Sequence, residues 1–231
     1  MWTNILPTEL LNTVHCMDCL EFMKTLPDNC VDLVLTDPPY NINLKPQRWN
    51  TNSIANDNMD TEDFIVFLDE YFWQCKRILK QDTFLITFLW WPTIPEFRFV
   101  CDKYFDLKSM PIRVKNNFWI WYYTRPKYEP CLLYLNWKPP VLDNPPSDVW
   151  EWDKIQAPIH SCEKPVWLYR FILENFSKES DVIFDWFAWV GALWVACKEL
   201  GRNYILVEKE PKYCDIIHKR LQNTTVSLFH S

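Results

Sequence analysis

The stretch Val31-Asp32-Leu33-Val34-Leu35-Thr36-Asp37-Pro38-Pro39-Tyr40 decides the fold. Its first six residues form a short, β-branched and Leu-rich run, suited to a parallel strand buried on both faces. Two consecutive prolines then end the run, fix φ twice and stiffen the loop that follows. Ligand sites of open α/β sheets lie at the carboxyl ends of their strands. Residues 37–40 therefore mark a candidate site. Asp37 offers an acidic acceptor, Pro38 a backbone carbonyl with no N–H beside it, and Tyr40 an aromatic face. This set suits a planar group bearing an exocyclic NH2. Asp37 and the Pro38 carbonyl can each accept one N–H hydrogen bond, and together they concentrate the amine lone pair for attack.

Working outward, the chain alternates helices and strands. From about Thr61 to Leu79 the apolar residues Phe64, Phe67, Leu68, Tyr71, Phe72, Cys75, Ile78 and Leu79 recur at steps of three and four. That spacing predicts an amphipathic helix capped by Asp60 or Thr61. A strand follows at Thr83–Leu89. The middle, about 105–160, is Pro-rich, with short strands expected at Lys108–Val114 and Pro130–Leu135. The last third reads as helix 165–176, strand 181–184, helix 192–200, strand 204–207 and a final helix opened by Pro211, a favoured first-turn proline. This rhythm implies a doubly wound, mostly parallel sheet with helices on both faces.

At 231 residues one domain is expected over 1–231. Hydrophobic residues are 48% and charged residues 23%, which excludes disordered and fibrous classes. No apolar run approaches the roughly 18 residues of a membrane span. Met1-Trp2-Thr3-Asn4 lacks the basic-then-apolar pattern of a secretory leader. Nine Cys without such a leader read as reduced thiols of a cytoplasmic protein. Cys16 and Cys19 form a lone C-x-x-C beside His15. With no second pair of matching spacing, buried thiols are the better reading, and no metal site is expected. His15, His160, His218 and His230 are scattered and are assigned no catalytic role.

The net charge of −6 argues against a polyanion binder driven by whole-protein charge. A local basic stripe is enough, however. Between Lys108 and Pro140 six basic residues (Lys108, Arg113, Lys115, Arg125, Lys127, Lys138) face one acid, Glu129. Trp119, Trp121, Tyr122, Tyr123 and Tyr128 interleave with them, a pattern suited to nucleic acid. A solvated rim around a small hairpin would read the same way.

A second motif lies 148 residues after Asp37. Asp185-Trp186-Phe187-Ala188-Trp189-Val190-Gly191-Ala192 links a strand to a helix, and Glu208 ends the next strand. A strand–turn–helix–strand unit with an acid about 20 residues on marks a nucleoside-containing cofactor, the acid taking the ribose hydroxyls.

With both motifs in place, the chain resembles the S-adenosylmethionine-dependent DNA amino-methyltransferases of the β arrangement. In that group the DPPY motif precedes the cofactor loop. Thr36–Ile42 (TDPPYNI) matches the catalytic motif. Met17-Asp18-Cys19-Leu20-Glu21 resembles G-D-C-L-E. Arg125-Pro126-Lys127-Tyr128-Glu129-Pro130 resembles R-x-x-Y-E-P. His160-Ser161-Cys162-Glu163-Lys164-Pro165 resembles H-P-T-Q-K-P, and Phe187–Gly191 resembles F-A-G-S-G. The five segments follow the family's order, and the resemblance covers about Val14–Leu221.

The resemblance implies a Rossmann-like methyltransferase fold and transfer of a methyl group to the N6 amine of a flipped adenine. Asp37, Pro38, Pro39 and Tyr40 would be catalytic. Asp18, Cys19, Asp37, Lys164, Pro165, Asp185, Phe187, Ala188, Trp189, Gly191 and Glu208 would line the cofactor. Asn41, Arg125, Lys127 and Tyr128 would meet the substrate, and residues 107–153 would form an embedded target-recognition insert. The implied partners are double-stranded DNA and a second copy in a homodimer, with no metal and no membrane. The Asp of DPPY, rather than Ser, favours adenine over cytosine N4. RNA or a protein amide is the alternative substrate class. A non-catalytic nucleic-acid-binding relic is the alternative from outside enzymes.

One count stands apart from all of this: 2 Gly and 14 Trp. At an average usage of roughly 7%, about 16 Gly are expected. Trp189 and Trp194 stand where the family has Gly, and Trp119, Trp121, Trp137 and one of Trp90 and Trp91 occupy Gly-like places. Some lineages read UGA as Gly and others as Trp. The pattern therefore leads us to expect that most of these Trp arise from translation with the wrong table. Trp150 and Trp152 carry no such expectation.

Overall fold

In a computed structural model of the chain, the described residues are 6–43, 57–115, 123–152 and 163–223. Val31–Thr36 forms β2, and Leu33, Val34 and Leu35 are wholly buried. It lies between β3 (Leu79–Phe88) and β8 (Val182–Asp185), parallel to both. Next to β8 run β9 (Asn203–Glu208) and then β1 (Thr13–Cys16), also parallel. On the far side of β3 the sheet turns antiparallel with β6 (Tyr128–Asn136). The outer edge of β6 is shared by β4 (Asp106–Ser109) and β5 (Ile112–Lys115), and β7 (Val149–Trp152) pairs parallel with β5. The order is β1-β9-β8-β2-β3-β6-β5-β7, with β4 beside β6. Residues 107–153 thus supply strands that extend the sheet.

Alternate residues of the central strands enter two separate cores. On one face Val34, Leu85, Phe184, Ile205 and Val207 meet α1 (Cys19–Thr25), α2 (Thr61–Ile78) and α3 (Ile94–Cys101). On the other, Leu33, Leu35, Ile86, Ile183 and Leu206 meet α4 (Val166–Phe176), α5 (Ala192–Glu199) and α6 (Pro211–Asn223). A sheet covered on both faces needs strands that are apolar on both sides, which is how β2 reads. α2 begins one residue after its cap: the Asp60 carboxylate accepts from the Asp63 N–H at 2.9 Å. Glu62 and Asp63 lie in its first turn and Lys76 and Arg77 in its last, both favourable to the helix dipole. Its buried stripe, from Phe64 to Ile78, is the periodic set read from the sequence. Burial of each such large side chain contributes roughly 1.5–3 kcal/mol.

Three differences from the sequence reading have local causes. β3 begins at Leu79, where α2 ends, so it takes in four further residues that carry no apolar alternation, with a register irregularity against β2 and a left-handed Asp82. The strand expected at 108–114 is two strands, split at Met110-Pro111, because Pro cannot donate to a ladder. Cys16 and Cys214 form a disulfide between the end of β1 and α6, where reduced thiols were expected. Their 198-residue separation leaves no spacing signal. Cys19 and the other free cysteines are buried, and no metal-ligand cluster occurs among the described residues. No helix among them is long and apolar enough to cross a membrane.

Turns that would ordinarily use Gly mostly use Asn and Asp. Asn12, Asn29, Asn41, Asn43 and Asp82 all have positive φ, as does Ser180. Asn and Asp adopt the left-handed region more readily than other non-Gly residues. Trp137 (φ +76°) and Trp189 (φ +51°) are the bulky residues in this region, where the backbone cost is about 1–3 kcal/mol each. Trp90 and Trp91 are not in it. Trp119 and Trp121 lie outside the described residues.

Asp32 ties the central strands together. Its carboxylate accepts from Lys80 Nζ at 2.8 and 2.9 Å and from the Val182 N–H at 2.9 Å. Lys80 is largely solvated, so that ion pair contributes little. The Val182 N–H would be left without its acceptor. Asp32→Ala is therefore expected to cost about 1–3 kcal/mol in denaturant unfolding, and Lys80→Ala less than about 1. Equal losses would show that the ion pair, rather than the strand N–H, carries the effect.

Candidate active site

The parallel strands β1, β9, β8 and β2 bring their carboxyl ends to one edge. Cys16 is in register with Glu208, and Asp185 with Leu206. Asp37 follows β2, Asp185 and Glu208 end β8 and β9, and Asp18 follows β1. The sequence positions that predicted a site at strand ends thus share one edge of the sheet.

Asp37 is buried together with Pro38 and Pro39, while Tyr40 is half-buried. The Tyr40 hydroxyl donates to Asp37 Oδ1. Lys164 Nζ donates to Asp37 Oδ2 at 2.5 Å and lies 3.3 Å from the Tyr40 hydroxyl. Lys164 is itself buried at the start of α4, 127 residues away in sequence. Burial alone would lower its ammonium pKa. The Asp37 and Glu129 carboxylates outweigh that and hold it above the ordinary lysine value.

Glu129, on β6, is the residue the sequence reading passed over. It is buried and accepts from Arg113 Nη1 at 2.7 Å and Lys115 Nζ at 2.5 Å, both from β5. Its Oε2 lies 4.0 Å from Lys164 Nζ. Burial would raise its carboxyl, but Lys164, Lys115 and Arg113 together hold it far below the usual carboxylate range. Two of the six bases counted as a surface stripe therefore point inward. The signal was present in that count: one acid among six bases is a natural sink for buried cations. Arg125, Lys127 and Tyr128 are exposed on the approach to β6, beside the exposed Tyr123.

The loop after β8 is held by its own amides. The Phe187 N–H donates to Asp185 Oδ1 (3.2 Å), the Ala188 N–H to the Val207 carbonyl (3.1 Å) and the Trp189 N–H to Glu208 Oε2 (2.9 Å). The Glu210 N–H takes Glu208 Oε1 at 2.8 Å. Gly191, with φ +76°, opens α5; a Cβ there would come within 2.6 Å of the Trp194 ring. From α6, Arg220 donates to the Val190 carbonyl (2.7 Å) and pairs with Glu163 (3.1 Å). It braces this loop against the segment that carries Lys164 and Pro165, and sequence reasoning missed it. The Trp189 indole crosses to the Asp37 carbonyl, donating at 3.1 Å.

Asp18 caps α1, accepting from the Leu20 N–H at 3.0 Å, and pairs with Lys209 at 3.1 Å. Cys19 is buried in the first turn of that helix. Asn41 exchanges two hydrogen bonds with the Met59 backbone (2.7 and 3.0 Å), which fixes the loop after Tyr40. His160, Ser161 and Cys162 lie outside the described residues. Burial pushes the Asp185 carboxyl up to about 8 and the Glu208 carboxyl up to about 7. Perturbed carboxyls gathered at one strand edge mark a functional site.

A protein-family model described as DNA methylase matches residues 31–219. This chain belongs to the DNA methylase family. It is 27% identical over 255 residues to the type II methyltransferase M.HinfI of Haemophilus influenzae, covering 93% of this chain and 69% of that protein. It is 25% identical over 244 residues to M.HpaI of Haemophilus parainfluenzae, covering 90% and 73%. Among solved structures, a complex of M1.HpyAVI with SAM superposes with a TM-score of 0.66 at 19% identity, covering 92% of this chain and 99% of that one. The cytosine-N4-specific PvuII DNA methyltransferase reaches 0.73 at 14% identity, covering 97% and 90%. At such identities the likeness shows a shared Rossmann-like fold. The match to this methylase family spans both motifs, from β2 into α6.

The raised carboxyls give a signed prediction. Asp185 titrates near 8 when folded and near 3.8 when unfolded. Its contribution is fully present below the unfolded value and is lost as pH rises between the two. Asp185→Asn is therefore expected to melt several degrees above the wild-type chain at pH 8, with the gap closing by pH 4. Melting curves across that range check this; a gap that widens toward pH 4 would reverse the assigned cause.

Proposed function

We propose that this chain transfers a methyl group from S-adenosylmethionine to the N6 amine of adenine in double-stranded DNA. The observation that carries the reading is the buried Asp37 carboxylate at the end of β2, held by Lys164 and Tyr40 beside the loop 187–191 and Glu208. A carboxylate offers about four acceptor positions. Lys164 and Tyr40 take two, leaving room for an incoming amine. The Pro38 carbonyl supplies the second acceptor, and the Tyr40 ring a face for the base. Two acceptors on one NH2 orient its lone pair away from the ring plane. This is catalysis by positioning and electrostatics.

S-adenosylmethionine, when bound, supplies an electrophilic methyl on a sulfonium, which leaves as a neutral thioether. The acceptor set fits such a group. In this reading Glu208 at the end of β9 would take the ribose hydroxyls, Asp18 at the start of α1 would meet the adenine edge, and Asp185, Phe187, Ala188, Trp189 and Gly191 would line the cofactor between them. Lys164, with Pro165 at the start of α4, meets Asp37 and so joins the methyl-accepting end. The fit is tight at residue 189, whose indole reaches across to Asp37. The target amine is inaccessible in a stacked duplex, so the base leaves the stack. The exposed Arg125, Lys127 and Tyr128 would contact the displaced strand in this reading, while Asn41 holds the loop that carries Tyr40. A second copy would supply further phosphate contacts that a chain of charge −6 lacks.

Asp37→Ala is expected to cut methyl transfer by on the order of 10²–10³ or more while leaving cofactor affinity nearly unchanged. Calorimetry of cofactor binding beside a transfer assay separates the two; equal loss of both would remove Asp37 from the amine-binding role. Nucleoside analysis of the methylated DNA decides the base. N6-methyladenine supports the reading, and N4-methylcytosine moves the chain to the cytosine branch.

A further inference from the structure

We propose that Glu129 is a positioning residue for methyl transfer: it anchors Lys164 so that the ammonium keeps its place against Asp37 while the target amine binds. This rests on the amino-methyltransferase reading above. Lys164 sits between two carboxylates, Asp37 at 2.5 Å and Glu129 at 4.0 Å. When an amine takes up acceptor positions on Asp37, the Lys164 contact there is shared. Glu129 is then the anchor that does not depend on substrate. Arg113 and Lys115 fix Glu129 from the other side, so a chain of charges runs from β5 through β6 to the end of β2.

Every element packed on Lys164 bears on its charge. Asp37 and Tyr40 face it from the loop after β2, Glu129 and the Cys131 thiol from β6, and Arg113 from β5. The Phe88 ring of β3 lies 5.0 Å from its Nζ. The Tyr169 hydroxyl of α4 and the Asp185 carboxyl of β8 lie close enough to Asp37 to feel its charge. With Asp37 and Glu129 against Lys164, Arg113 and Lys115, the cluster carries one net positive charge. Removing the Glu129 charge makes it two and favours loss of the Lys164 proton.

The test is Glu129→Gln, measured beside the wild-type chain. Expected are a fall in kcat of about 10- to 100-fold with little change in KM for cofactor. The alkaline limb of the kcat–pH profile should also move down by at least about one pH unit. The 13Cε resonance of Lys164, assigned by its absence in Lys164→Arg, should titrate correspondingly earlier in the variant, whether or not the protein turns over. An unchanged kcat and an unchanged Lys164 titration would overturn the proposal. Absence of methyl transfer by the wild-type chain would instead overturn the amino-methyltransferase reading. Should Glu129→Gln fail to fold, the double variant Glu129→Gln/Arg113→Gln restores the single net positive charge. Its alkaline limb and its Lys164 titration should then lie within about one pH unit of the wild-type values, and a larger fall would overturn the proposal.

We also infer that residues 137, 189 and 194 are encoded by UGA and read as glycine in the source organism. Trp137 and Trp189 hold left-handed backbone, which the other such turns fill with Gly, Asn, Asp or Ser. The Trp194 indole is fully buried directly under Gly191, and its N–H has no partner among the described residues. Trp150 is the contrast: equally buried, it lacks positive φ and donates its N–H to the Ser147 carbonyl at 2.8 Å. Gly at 189 would free the space the indole spans beside Asp37. The check is the gene sequence together with peptide masses from protein made in its own host. UGA codons with glycine masses at 137, 189 and 194 are expected. UGG codons, or tryptophan masses, would overturn the inference.

Discussion

The carboxylate buried at the end of β2 is paired with a buried cation, Lys164. This pairing organises the site. It reaches from α4 to the end of β2, across 127 residues. Glu129 lies on the far side of the same ammonium, and Glu129 in turn draws Arg113 and Lys115 out of solvent. Buried ion pairs are poor sources of net stability, because desolvation offsets their attraction. What this cluster provides is definition. Each group has one place where its charge is answered, so the Asp37 carboxylate is fixed in place by Lys164 and Tyr40.

The same accounting resolves the tension between the acidic composition and a nucleic-acid substrate. The basic stretch has two roles. Arg113 and Lys115 are internal counterions, whereas Arg125 and Lys127 are exposed with Tyr123 and Tyr128 around them. Alternation along β5 sends its charged residues inward at every second position, toward β6. The opposite sign of the site is equally local. Asp185 and Glu208 are both shielded from water, and nearby charge adds to that, from Asp37 and Glu208 on Asp185 and from Glu210 on Glu208, so the two carboxyls are pushed up to about 8 and about 7.

The loops show how little glycine this fold uses. Asn and Asp supply half of the left-handed positions among the described residues, including Asn41 and Asn43 after Tyr40. At 137 and 189 the same backbone carries tryptophan. The loop after β8 is held by amide hydrogen bonds to Asp185, Val207 and Glu208, none of which depends on the side chain at 189. The loop path is therefore separable from the question of what residue 189 places inside it.

Much of the architecture could be read from the chain because it is local. The stripe from Phe64 to Ile78, the apolar run of β2 and the Pro211 helix start depend on periodicity and capping, which act over a few residues. The DPPY site was legible because its acceptor, its stiff loop and its aromatic face are contiguous. The disulfide, the split of β4 from β5 and the Arg220 brace were not, since their partners lie far apart or depend on register. Glu129 is the clearest case. In sequence it is one acid in a basic stretch. Only the pairing of β5 with β6, and the approach of α4 to β2, turns it into the centre of a buried network. Sequence by itself determined which residues can carry charge at the strand ends; tertiary structure decided which charges answer one another, because that depends on burial and on distances of a few ångströms between remote segments.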